Sequence, residues 1–547
     1  MVHKRNSGSG GLTAPQFNLL EQQRGGGIDR RDFLRFASVL GLSATLGASP
    51  FGPFSRRAAA TERGAPGGTI RVALTTPVAA INPLTSTGNG SINLLIQVGE
   101  YLCYTSSDLT LTPGLAESWS PNEDGSKWTF KLRKNVKFND GAPFNAKCVV
   151  ESINRLADPA NGSNSLGAFK GTLSKGAARE VDEYTVEFTL DAPNGNFPYV
   201  VSSDTYNSLI LPEGYKGDFE KTFVGTGPFK LESYTTDVGA VFVRNEDYWG
   251  PKALPDRLEI TFYPELQAQI IALMADQVDV IDQVPVTGSQ GLNGNPNIEI
   301  MRQRSTAHHQ LHMKCDEGPF KDKRVRQALA LTLDRKRLVD GLIKGTGEIG
   351  NDSVFAPVYP STDNSVPQRL PDIEKAKQLM KDAGVADGFS VDLTTFRYIE
   401  IADYAVVIQN FARQIGININ VNIIPEGTYY GNVQRGTSPW LDSTLGLTGF
   451  GPRSVPNELL QATLSSNGAW NAAAFKNADY DKLLAEYIKA VDLKSQKELA
   501  GKIQNMMLDE TPVIIGYFYD FLVPMKKGLK GIPSTPNRLF LFDAHFA

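Results

Sequence analysis

Cysteine and histidine are scarce, with three and five in 547 residues. Cys103, Cys148 and Cys315 are odd in number and form no close pair, so they outline no disulfide framework; one bridge or three buried free thiols fit equally. Stability must then come from hydrophobic cores, and a chain this long can build two or three. The sequence has no H-E-x-x-H and no P-loop. Three histidines do gather in "HHQLHM". If that segment is a strand, His308 and His312 share a face ~13 Å apart at ~3.3 Å per residue, and His309 points away. One ion held at ~2 Å from each ligand cannot take both, so no metal and no cofactor is expected. No apolar run approaches the ~20 residues of a membrane-spanning helix. Basic runs stop at "RRDFLR" and "KDKRVR" in a chain of net charge −4, which argues against a nucleic-acid partner. "GTGEIG", Gly345 to Gly350, matches G-x-G-x-x-G literally but follows a helical pattern, "RVRQALALTLDRKRLVDGLIK", where a dinucleotide site needs a strand.

What is present begins with an asymmetric N-terminus. Residues 1–66 hold nine Lys/Arg against four Asp/Glu, which leaves the rest acidic. "DRRDFLRFASVLGLSATLGA" sets Arg30-Arg31 before a short apolar segment, and Arg56-Arg57 precede the small-residue run Ala58-Ala59-Ala60. Residues 1–60 read as a twin-arginine signal peptide cleaved near Ala60, which places the mature chain in the periplasm. No cysteine follows the apolar segment to carry a lipid anchor.

The remainder alternates strand and helix patterns. "KWTFKLR" and "EYTVEFTL" alternate apolar and polar residues as half-buried strands do, and "NAKCVVESINRLAD" between them has a helical period. Asp372 can cap a helix whose apolar positions Ile373, Ala376, Leu379, Met380 and Ala383 follow the i, i+3, i+4 rule, with Gly384 at its end. "FSVDLTTF", a helix around "YAVVIQNFARQIG", and "ININVNII" follow. That order predicts α/β units with parallel strands.

"LTPGLAESWSPNEDGSKWTFKLRKNVKFNDGAPFNAKCVVESINRL", Leu111 to Leu156, closely resembles the signature of the peptide/nickel family (family 5) of extracytoplasmic solute-binding proteins that feed ABC importers. "VGTGPFKLESY", "NEDYWGPKALPDRLEITF", "GPFKDKRVRQALALTLDRKRLV", "NADYDKLLAEY" and "DETPVIIGYFY" continue the match in family order to about residue 520. The resemblance implies a two-lobed α/β clamp of the type II periplasmic-binding-protein kind with an additional inserted α+β domain. Lobe I would take residues 67–100, 222–305 and 520–547, the inserted domain 101–221, and lobe II 306–519. The implied protein is a monomer with no catalytic residues, holding a small molecule or peptide for an inner-membrane ABC permease. The alternatives are a hydrolase sharing the fold and a receptor for nickel or another metal complex.

The resemblance also places site residues. In dipeptide-binding members the stretch matching "GLTGF" ends in an aspartate that holds the peptide ammonium; here that position is Phe450. Arg397-Tyr398 matches the arginine and tyrosine near the peptide carboxylate. Arg453, in "TGFGPRSVPNEL", would supply a second guanidinium if it faced the cleft, and Trp440, Trp470, Tyr429 and Tyr430 could stack on a solute. An anionic or amphoteric solute, such as an opine, sugar acid or sugar phosphate, is the expectation. A short peptide remains open if another acid, for example Asp442, replaces the missing one.

Overall fold

A computed structural model describes residues 64–547 apart from Asn537, together with Gln16, Leu19 and residues 37–40. The Arg30-Arg31 pair and the cleavage position near Ala60 lie outside the described residues.

Three sheets organise the chain. A seven-stranded sheet has Thr69–Thr75 near its middle, parallel to Arg257–Tyr263 on one side and Val280–Ile281 on the other. Its remaining strands are Phe229–Thr235, Gly239–Arg244, Ile298–Gln303 and Phe521–Lys526. A six-stranded sheet runs in the order Gly347–Ile349, Val513–Tyr519, His308–Met313, Leu445–Phe450, Phe389–Phe396, Ile417–Ile424. A four-stranded antiparallel sheet holds Ala116–Pro121, Lys127–Leu132, Thr185–Thr189 and Ala178–Asp182.

Local sequence explains these elements. Along Lys127–Leu132, Trp128, Phe130 and Leu132 are buried while Lys127 and Lys131 are exposed, as a period of two requires. Phe130, Phe188 and Phe197 meet at ring separations of 5.1–6.2 Å, and burying each such side chain stabilises by ~1.5–3 kcal/mol. Above that sheet lies helix Ala146–Ala157, started by Asn145, whose side chain accepts from the N–H groups of Lys147 and Cys148. Asp372 caps Ile373–Asp382 through the Lys375 N–H, and Gly384 takes the left-handed conformation (φ 77°) just beyond it. Phe389–Phe396, helix Ile401–Ala412 and Ile417–Ile424 form a parallel β-α-β unit in the predicted order. The three cysteines are free thiols, Cys103 and Cys148 buried and Cys315 partly so.

The two large sheets are joined by a ribbon of two chain crossings. Gln303 pairs with Phe521 in the seven-stranded sheet, and five residues on His308 pairs with Phe518 in the six-stranded one. Arg302 donates to the buried Asp520 carboxylate at 2.6 and 3.2 Å between those two pairings. Among residues 37–40, Ser38 Oγ accepts the Leu111 N–H and the Val39 carbonyl accepts Trp119 Nε1–H, both at 2.9 Å.

Candidate functional site

Phe389–Phe396, Ile417–Ile424, Leu445–Phe450 and Val513–Tyr519 all point the same way, so their carboxyl ends share one edge of the six-stranded sheet. His308–Met313 runs opposite and begins at that edge. In open α/β sheets, ligands bind outside the carboxyl ends of the strands, where loops gather over a rigid platform. The loops leaving this edge carry Arg397-Tyr398, Glu426 and Arg453.

This edge meets the body of the seven-stranded sheet. The Tyr398 hydroxyl accepts from Gln283 Nε2 at 3.1 Å, and the Glu400 carboxylate accepts the Val286 N–H at 2.6 Å. Burial pushes the Tyr398 phenol up to about 12 and the Glu400 carboxyl up to about 7, in each case against a hydrogen bond that favours the ionised form. Asp282, beside Gln283, is buried, accepts from Asn89 Nδ2 at 3.1 Å and is pushed up to about 6 for the same reason. The buried side-chain oxygen of Gln283 and both polar side-chain atoms of Gln303 have no partner among the described residues.

Arg397, directly after its strand, is exposed and has no hydrogen-bond or ion-pair partner among the described residues. Phe450, at the end of its strand, is 8% exposed and packs on His308, Trp440 and Trp470 at ring separations of 5.6, 6.2 and 6.3 Å. Trp440 is buried and meets Tyr430 edge-on at 5.3 Å; Tyr430 in turn meets Tyr429 and Phe396. An aromatic wall therefore surrounds position 450. His308 beside it is pushed down to about 4 by burial, so it adds no charge at neutral pH.

Arg453 is half-buried, and its charge is already matched. Its Nε and Nη2 donate to the two oxygens of Glu458 at 2.5 and 3.3 Å, and its backbone N–H and carbonyl both bond Thr306 Oγ. Burial lowers the guanidinium pKa and Glu458 more than restores it, so the net direction is up. Of the two guanidiniums, only Arg397 keeps its charge uncompensated. The Asp442 carboxylate accepts the N–H groups of Gly436 and Ser438 inside its own loop at 2.9–3.2 Å.

The acid that sequence reasoning missed is Glu426, exposed two residues beyond the Ile417–Ile424 strand, whose charge bears on Tyr398 and Tyr430. Its signal was available, since an acid directly after a strand parallel to Phe389–Phe396 must emerge beside Arg397. The three clustered histidines serve separate neighbourhoods. His308 Nδ1 lies 3.1 Å from the Thr306 carbonyl, His309 Nδ1 2.8 Å from the Tyr517 hydroxyl, and His312 Nε2 3.2 Å from the Ser443 carbonyl.

Two α/β bodies on a two-stranded ribbon, with polar and aromatic groups collected where they face each other, define a clamp-type solute-binding protein. The family described as bacterial extracellular solute-binding proteins, family 5, middle region, matches residues 110–469. The chain belongs to that family of solute-binding proteins, which serve ABC import. It is 27% identical over 468 residues to heme-binding protein A of Haemophilus influenzae, covering 80% of this chain and 83% of that one. It is 26% identical over 460 residues to di/tripeptide-binding protein 1 of Pseudomonas aeruginosa, covering 79% and 84%. Among solved structures, the ABC transporter-associated periplasmic binding protein DppA from Helicobacter pylori, in complex with the peptide STSA, superimposes with a TM-score of 0.73 at 24% identity. That match covers 89% of this chain and 99% of DppA and shows a shared two-lobed fold.

Proposed function

We propose that this chain is a periplasmic receptor, exported by the twin-arginine route and cleaved near Ala60, that captures a small carboxylate-bearing solute and presents it to an inner-membrane ABC permease. It acts as a monomer and turns nothing over. The crevice between residues 282–286 and residues 397–400 is the binding cleft, and Arg397 with Tyr398 receives the carboxylate. The observation that carries this reading is Arg397: an exposed guanidinium with no hydrogen-bond or ion-pair partner among the described residues, at the shared carboxyl edge of four strands. Glu426 on the neighbouring strand end gives an amphoteric, peptide-like solute a place for its ammonium, while Phe450 gives it none. The likeness to di/tripeptide-binding protein 1 supports a peptide-like ligand.

The lobes proposed are residues 67–100, 222–305 and 520–547 for lobe I, 101–221 for the inserted domain and 306–519 for lobe II. Sheet membership supports that division, because the named strands of each large sheet fall within one set of segments. A ligand touching both lobes shifts the population toward the closed clamp, and a permease can then distinguish loaded from empty receptor. Mass spectrometry of protein taken from a native periplasmic preparation tests the reading. A bound carboxylate-bearing small molecule, recovered unchanged after incubation, is the expected result; a purely cationic ligand or the appearance of product overturns it.

A further inference from the structure

Residues 37–40 belong to the segment proposed above for removal on export, yet the body of the chain buries them. Ala37, Ser38, Val39 and Leu40 are each no more than 2% exposed. Ala37, Val39 and Leu40 share one hydrophobic core with Leu111, Trp119 and Tyr199 of the segment proposed as the inserted domain. The turn is hydrogen-bonded to that body as well. Ser38 Oγ accepts the Leu111 N–H and the Val39 carbonyl accepts the indole N–H of the buried Trp119, both at 2.9 Å. A small cavity bordered by Val39 is lined further by Asn196 and Tyr199 and, from the segment proposed as lobe II, by Tyr359, Val455 and Tyr487. Direct bridges join the same two bodies. The Asp204 carboxylate accepts from the N–H and Oγ–H of Ser454 at 3.0 and 2.7 Å, and the Gly195 N–H donates to the Ile488 carbonyl at 3.1 Å.

The fit is one of polarity as well as of shape. A buried N–H without an acceptor is costly, and the turn supplies acceptors to two of them, on Leu111 and on Trp119. Its apolar side chains cover the apolar surface around those donors, which favours docking in the same way that core burial does. The segment itself needs that cover. "FASVLGLSATL", residues 36–46, carries no charged residue, and such a stretch left in water on a folded chain is an aggregation liability. Because Val39 meets surfaces from both bodies, the docked turn favours the arrangement in which they lie together. Its departure removes that bias.

We infer that the groove beside Leu111 and Trp119 is a docking site for the apolar turn of the chain's own leader, which straps the inserted domain to lobe II until processing removes it. The inference rests on the reading of residues 1–60 as a leader. Amide-resolved hydrogen exchange of the full chain tests it, comparing wild type with Val39→Asp, which puts a carboxylate into the apolar groove, and with Ser38→Ala, which removes only the acceptor of the Leu111 N–H. The Leu111 amide should exchange roughly tenfold faster or more in both variants, and the Ser454 amide, which bridges to Asp204, should do so in Val39→Asp. Unchanged slow exchange along Lys127–Leu132 shows that the variants keep their fold. Protein from a native periplasmic preparation, once mass spectrometry shows it to lack residues 1–60, should match Val39→Asp at both amides, and a synthetic peptide of residues 33–44 should slow Leu111 again. Equal exchange at Leu111 in wild type and both variants overturns the docking site, and faster Leu111 with unchanged Ser454 in Val39→Asp overturns the strap. Periplasmic protein that retains residues 1–60 would overturn the leader reading instead, and the comparison of full-length variants would still decide whether the turn docks.

Discussion

Replacing Glu100 with glutamine should flatten the pH dependence of stability. Glu100 is 2% exposed; its two oxygens accept from the Tyr248 hydroxyl and Trp249 Nε1–H, each at 2.7 Å. Burial pushes its carboxyl from 4.5 up to about 7, against those hydrogen bonds, which pull it down. A carboxyl raised on folding binds its proton more tightly in the native state. Its contribution is therefore fully present below pH 4.5 and is lost as pH rises through about 7. A shift of about 2.5 units at ~1.36 kcal/mol each makes the loss roughly 3 kcal/mol. Glutamine can keep both contacts, its oxygen accepting from Trp249 and its amide donating to the Tyr248 oxygen, without titrating. Urea unfolding of wild type and Glu100→Gln across roughly pH 4 to 8.5 gives the comparison. Glu400 and Asp282 are also raised by burial, but they are present in both proteins and cancel in the difference. The two proteins should converge at low pH relative to their values at pH 8, with the variant gaining ~3 kcal/mol on wild type across the range. Parallel curves would refute the reasoning, because they would mean that Glu100 titrates alike in the folded and unfolded chains.

Asp352→Ala should destabilise the six-stranded sheet by ~3–5 kcal/mol, because it strands two buried guanidiniums, Arg335 and Arg369, that now hold its fully buried carboxylate at 2.6–2.7 Å. Thermal unfolding reads this, and a loss below ~1 kcal/mol contradicts it. Arg30→Lys/Arg31→Lys should leave the protein in the cytoplasm, as cell fractionation would show; normal export of the variant defeats the twin-arginine reading. Phe450→Asp should weaken binding of a carboxylate-bearing solute and strengthen binding of dipeptides, since it sets a negative charge beside His308 in place of a ring. Calorimetry with both ligand types checks it, and unchanged preference would remove position 450 from the site.

Much of this fold is legible in the sequence because local rules and tertiary demands agree. Asn145 and Asp372 sit where caps belong, and both cap. The alternating apolar residues of Lys127–Leu132 are buried as the pattern requires. The helix between Phe389–Phe396 and Ile417–Ile424 makes their parallel pairing the natural outcome. His308–Met313 shows where pattern reading stops. Its polar letters suggest a solvated face, but all six residues are buried, because the strand lies inside the sheet, paired on both edges and covered on both faces. The candidate site was legible in part. Arg397 and Phe450 could be placed at strand ends by position along the chain, Arg397 just after Phe389–Phe396 and Phe450 closing Leu445–Phe450. The fate of Arg453 could not, because it depends on whether the loop at Pro452 and Pro456 brings Glu458 back within reach; it does, at 2.5 Å. The contacts of Gln283 with Tyr398 and of Val286 with Glu400 join residues 114 or 115 positions apart, and no local pattern announces them.

Isothermal titration of wild type and Arg397→Ala with the solute recovered from the native protein tests the central claim most directly. A guanidinium that receives the solute's carboxylate contributes a charged hydrogen bond, so the variant should lose ~1.5–3 kcal/mol, roughly ten- to a hundredfold in affinity. Equal affinity in the two proteins, or tight binding of a solute with no anionic group, would contradict it.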